Sequence, residues 1–215
     1  MNFTLKLNNE VLSKKIHQAI AKSPIAKEAA LKAFRAFYYP AKNNMMRQFD
    51  RHNVTQEIAA GPQSANISQT LEGYELGNLF TFIGFPDGDQ PIERLRAVLL
   101  STTYQQGQLA RGYKTDGLRT VFGWNFKVLL PSRSDIKEST DMPWEQGNSW
   151  AFGIERGIAG LSHYMYKNWD GPNSRSKHAF QLPYENMEDA AFKPVPYITE
   201  ILSNFRERMN KQSVA

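Results

Sequence analysis

From the N-terminus, Phe3 to Leu7 alternate apolar and polar residues as a short strand does, and from Asn9 the period becomes helical. Asn8 or Asn9 stands where a cap belongs, and Val11, Leu12, Ile16 and Ile20 form one stripe. Pro24 breaks this helix and Ser23 is placed to cap the next. There Ala26, Ala29, Ala30, Ala33, Phe34 and Phe37 share a face, with an end predicted near Tyr39-Pro40. Val54 to Gly77 holds few large apolar groups and many Gly, Ser, Asn and Gln, which predicts an extended arm or functional loop.

Leu79 to Phe85 reads as a strand buried on both faces. Pro91 then opens a helix whose inner stripe is Ile92, Leu95, Val98 and Leu99. Leu118 to Leu130 alternates most regularly of all and is ended by Pro131. Asn148 to Tyr166 fits strand and helix alike, and Arg175 to Leu182 predicts a further strand. Ile198, Ile201, Leu202, Phe205 and Met209 mark a closing helix behind the extended Lys193–Pro196.

This order predicts an α+β fold: a small, mostly antiparallel sheet, sandwich-like, flanked by helices and carrying a long arm. The organisation expected is one structural domain, with a strand and basic helices over 1–52, the arm over 53–78, the core over 79–211 and a tail over 212–215.

Composition narrows the chemistry. The chain of 215 residues has no cysteine, which excludes disulfides, cysteine zinc sites and thiol nucleophiles. No apolar run approaches the roughly 18–20 residues that span a bilayer, and the N-terminus lacks the pattern of a signal peptide. The sequons at Asn2, Asn53 and Asn66 therefore read as chance matches.

The elbow Gly84-Phe85-Pro86-Asp87-Gly88-Asp89 resembles part of a calcium loop, but the twelfth position from Asp87, where a glutamate belongs, is Val98. It has no phosphate-cradle spacing either. The reading is mechanical: Gly88 permits a turn, Asp89 caps and Pro91 presets the helix.

His17, His52, His163 and His178 lack metal or triad spacing, and Ser162-His163 lacks a nucleophile elbow. Asp141, Glu145 and His163 are the best that a hydrolase reading offers, and acidic loop residues of this kind are usually only solvated. No catalytic residue, metal site or cofactor is predicted, and the chain is not expected to be an enzyme. The aromatics Phe80, Phe82, Phe122, Trp124 and Phe126 read as core rather than base-stacking platforms.

Charge is uneven: residues 1–51 hold ten Lys and Arg against three acidic residues, a net of +7, and the rest of the chain is at −2. A basic end implies an acidic partner, whether nucleic acid, an acidic protein surface or a neighbouring copy, unless it is only a solvated helix face.

The ordered stretches "NISQTLEGYELGNLFTFIGF", "PIERLRAVL", "SWAFGIERGIAGL", "RSKHAFQ" and "PYITEILSNFRERM" resemble the neck and tail-completion (head–tail joining, tail-terminator-like) proteins of tailed bacteriophages. The likeness spans roughly Val54 to Met209. Its markers are Gly153-Ile154-Glu155-Arg156-Gly157 followed by Pro196-Tyr197 before the closing helix. "NLFTFIGF" is similar to versions in contractile-tailed phages, and "NISQTLEG" stands where the family's Pro-x-x-Thr-Gly-x-Leu belongs.

The resemblance implies a virion structural protein, assembled in the host bacterial cytoplasm. It would form a homo-oligomeric ring, usually of six, between the head connector and the tail-tube or sheath proteins, with genomic DNA passing through the lumen and no membrane contact. The residues expected at interfaces are Asn66, Tyr74 and Asn78 of the arm, with Lys14, Lys15, Lys27, Lys32 and Arg35 of the basic helices. The alternative is a stand-alone nucleic-acid-binding protein.

Overall fold

Helices and two-stranded antiparallel ladders make up the chain, an α+β architecture. The computed structural model describes residues 9–71, 77–116, 119–143, 145–157, 163–167, 179–183 and 192–211. The strand expected at Phe3–Leu7 and the tail from 212 lie outside them. The described residues form two compact units: a smaller one of residues 1–40 and 103–129, and a larger one of 41–102 and 130–215.

The smaller unit contains α1 (Asn9–Ala21), the first part of α2 (Pro24–Arg51) and a long β-ribbon. Ser23 caps α2 as expected, its hydroxyl accepting from the Ala26 amide at 3.2 Å. The ribbon pairs β1 (Thr103–Tyr104) with β4 (Val128–Leu129), and β2 (Gln108–Asp116) with β3 (Arg119–Asn125). The alternating stretch before Pro131 is thus half of this ribbon, with an irregularity in register between Leu109 and Tyr113. Among the described residues the longest strands lie here, and the start of the expected arm, 53–63, is helical.

Aromatic rings bind α2 to the ribbon. Phe34 stacks on Phe126 at 4.3 Å between centroids and on Tyr38 at 5.4 Å, while Tyr104 meets Phe34 and Tyr38 edge-on at 4.9 Å. The buried line on α2 therefore runs through Phe34 and Tyr38. Ala29 and Ala33 of the predicted alanine face are exposed. Burial beside these rings pushes the Tyr38 phenol up to about 12. A Cβ at Gly107 would stand 2.5 Å from the ring of Phe126, which the stack on Phe34 holds in place. Gly107→Ala is expected to cost about 1–3 kcal/mol by overpacking, read as a lower urea midpoint. An unchanged midpoint would show that the ring yields freely.

In the larger unit α2 continues past Pro40 to Arg51 instead of ending there. Ala41, Met45 and Phe49 are buried at helical spacing, and this packing outweighs the one backbone bond that proline removes. Lys42 donates to the carbonyls of Leu100 and Thr102, both at 2.7 Å, beyond the end of α5 (Pro91–Leu100).

Residues within the expected arm are helical and packed: α3 (Asn53–Ala59) buries Val54, Thr55, Glu57 and Ile58, and a 3₁₀ turn follows at Gly61–Gln63. Leu79–Ile83, expected as a strand, is the short helix α4. Asn78 caps its start and Gly84, at φ 82°, closes it in the left-handed conformation.

The elbow is a helix-to-helix corner in which Gly88 makes the turn and Pro91 starts the helix as expected, whereas Asp89 does not cap α5, whose N-cap position, Gln90, makes no side-chain capping bond. Gly88 takes φ 77°. Asp89 accepts from the Gln90 amide at 2.8 Å and from both terminal nitrogens of Arg94 at 2.6 and 3.2 Å.

Further on come α6 (Arg133–Ser139), β5 (Asp141–Met142), β6 (Glu145–Ser149), α7 (Trp150–Arg156), β7 (His163–Lys167), β8 (Ala179–Pro183) and the closing α8 (Ile198–Lys211). The ambiguous aromatic segment is thus strand, helix and strand in turn. Among the described residues no ladder exceeds two strands, so the sandwich-like part of the expectation is not formed there.

Candidate functional site

Three chain segments meet in the larger unit around Tyr197. Its ring is fully buried, stacked with Phe49 (6.1 Å) and tilted against His52 (4.8 Å) and Trp150 (6.4 Å), and Trp150 meets Phe85 edge-on at 5.7 Å. The Tyr197 hydroxyl shares a 2.8 Å hydrogen bond with Thr55 in α3. Burial raises its pKa far above the usual phenol range. Beside it the His52 side chain accepts from the Val54 amide at 3.3 Å and caps α3, with burial lowering the imidazole pKa.

Glu155, at the end of α7, holds the first turn of α8. Its carboxylate accepts from the Thr199 amide at 2.6 Å and from the Thr199 hydroxyl at 2.5 Å. An acid at a helix start satisfies open N–H groups and complements the helix dipole. The Val195 amide donates to the Ile154 carbonyl at 3.2 Å. Glu155, Arg156, Pro194, Val195, Pro196, Thr199 and Glu200 line an open cleft of about 490 Å³.

A second acid, Glu57 on α3, is buried and receives the Ser68 amide at 2.7 Å and the Leu79 amide at 2.6 Å. It binds the loop after the 3₁₀ turn to the start of α4. Burial raises its pKa, opposed by these amides.

The predicted interface residues separate. Asn78 is fully buried; its amide donates to the carbonyls of Pro62 and Ser64 and its oxygen accepts from Thr81. It is a structural cap rather than a surface contact. Asn66 is half-buried and donates to the Leu71 carbonyl at 2.8 Å, and Tyr74 lies outside the described residues.

Lys15 and Lys32 are exposed and Lys27 half-buried, while only the backbone of Lys14 is described. Exposed Arg35 donates to the Tyr104 hydroxyl at 2.7 Å, and this bond holds the Tyr104 phenol below its usual range. Ile16 and Ile20 of the expected stripe are 50% and 59% exposed, and Ile25 is 80% exposed. These isoleucines stand in the same helices as the lysines.

Sequence reasoning did not single out Glu57 or the Tyr197–Thr55 pair. The signal for Glu57 was an acid at a position sharing the inner stripe of Val54 and Ile58. Among the described residues no three His, Asp or Glu side chains converge to hold a metal ion. Asp141 accepts from the Gly147 amide at 3.1 Å; the side chains of Glu145 and His163 lie outside the description. No protein-family model, curated protein or solved structure matches the chain.

Proposed function

We propose that this chain is a structural subunit of the neck of a tailed-bacteriophage virion, working by assembly rather than catalysis. It completes the tail or joins it to the head connector as a ring of like copies around the passing DNA. Its neighbours in this reading are the head-connector and the tail-tube or sheath proteins.

The observation that carries the reading is the convergence of the resembling stretches. "NISQTLEG" reaches the lead into α8 through the Leu71–Phe192 bridge and the Lys193 amide on the Thr70 carbonyl at 2.7 Å. "NLFTFIGF" supplies Phe85 against Trp150, and "SWAFGIERG" supplies Trp150 and Glu155 against "PYITE". Motifs separated by more than a hundred residues thus build one core, which supports reading them together as one pattern.

The exposed isoleucines of α1 and α2 supply an apolar surface for a heterologous contact between copies, the kind that closes into a ring by rotation. Sedimentation velocity on the wild type and Ile16→Glu/Ile20→Glu tests this. The wild type is expected as a large, discrete species and the variant as a monomer with unchanged circular dichroism. A variant that sediments like the wild type would remove α1 from the interface. The rival, a nucleic-acid-binding protein acting as a monomer, predicts DNA binding with no large species.

A further inference from the structure

Grouping residues by structural unit sharpens the charge asymmetry. The smaller unit holds eleven Lys and Arg against three acidic residues, a net of +8, and the larger holds fifteen against eighteen, a net of −3, summing to the +5 of the chain. The ribbon therefore joins the basic helices in one cationic body of 67 residues. Lys15, Lys22, Lys32 and Lys127 are exposed there, and Glu28 is the acidic residue among its described side chains.

The spacing on α1 separates two surfaces. Lys15 and Lys22, the latter one residue past the end of α1 with its amide still donating to the Gln18 carbonyl at 3.1 Å, are seven residues apart and share a side, about a quarter turn or more from Ile16 and Ile20. The lysine side is available while the isoleucines meet another copy.

We propose that the smaller unit is a sequence-independent binding surface for the phosphate backbone of nucleic acid. The net −3 of a neighbouring copy's larger unit balances less than half of this +8, and any homo-oligomer of chains at +5 accumulates positive charge as it grows. The compensating anion must come from outside the chain, and a polyphosphate supplies it at dense, regular spacing. The assignment deepens the neck reading by naming which unit meets the DNA, and rests on that reading only for the ring.

The test is fluorescence anisotropy with a labelled duplex of arbitrary sequence across a salt series, using the full chain. The wild type is expected to show a steep fall of log K with log salt. Lys15→Gln/Lys22→Gln/Lys32→Gln/Lys127→Gln should lose about 0.9 of slope per removed phosphate contact, roughly 3–4 in total. Arg47→Gln/Lys137→Gln/Arg206→Gln/Arg208→Gln, which removes as much charge from the larger unit, should keep the wild-type slope within about one.

Equal losses in the two variants would overturn the assignment, as would no binding by the wild type at low salt. Polyglutamate competing as well as DNA at matched charge would also overturn it, in favour of an acidic protein partner. Light scattering on the same samples separates the two ideas. Lost DNA binding with assembly intact supports the surface alone, and DNA binding by a chain that never assembles sinks the ring while leaving the surface.

Discussion

Replacing Tyr197 with alanine is expected to lower the stability of the larger unit by about 3–5 kcal/mol, the cost of removing a large buried aromatic. The ring is shared by Phe49, His52 and Trp150, so the cavity opens where α2, α7 and α8 are held together. Its loss also strands the Thr55 hydroxyl in the core. Tyr197→Phe keeps the ring and strands only that hydroxyl, for a loss of about 1–3 kcal/mol. Urea denaturation followed by tryptophan fluorescence measures both. Equal losses would show that the hydrogen bond, and not the ring, carries the effect.

Glu57→Ala is expected to cost about 2–4 kcal/mol, because the buried Leu79 amide and the half-buried Ser68 amide lose their acceptor together. Glu57→Gln retains one acceptor oxygen and should cost less. Its pH dependence carries a sign. Burial raises the native pKa of Glu57 above the unfolded value of 4.5, so between the two the native state keeps a proton that the unfolded chain has released. The stability contributed is present below the unfolded value and is lost as pH rises through the native one. The penalty of Glu57→Gln should therefore be greatest at low pH and shrink on raising pH across that window. Denaturation midpoints for both proteins at several pH values measure this, and a penalty that grows with pH would contradict the assignment.

Where local signals and tertiary packing agree, the elements were legible. The closing helix, the helix opened by Pro91, the Ser23 cap and the alternating half of the ribbon could all be read from spacing. Leu79–Ile83 was not, because an apolar run of this length buries all its side chains as strand or helix and has no readable period. The deciding features were short-range ones: Asn78 as an N-cap and Gly84 in the left-handed conformation five residues after Leu79.

The polar stretch after Asn53 was misread for a different reason. Its order comes from Glu57 and Asn78, which satisfy backbone groups far along the chain. Composition carries no trace of such bonds. The pairing of Glu155 with Thr199 is equally non-local, although both lie in the stretches that carried the family resemblance.

The smaller unit shows the converse. Its basic charge was visible over residues 1–51, but the contribution of 103–129 became visible only when the ribbon joined the helices in one unit. Ile16 and Ile20 lie on one side of α1, and both are exposed to solvent. Period alone distinguishes a one-sided helix, not what covers the side.

Assembly into a closed ring, as proposed above, is read by multi-angle light scattering across concentration with negative-stain images of the eluting peak. The account predicts one discrete oligomer several times the 24.6 kDa of the chain, with a central hole. A monomer at every concentration, with no annular particle in the images, would contradict it.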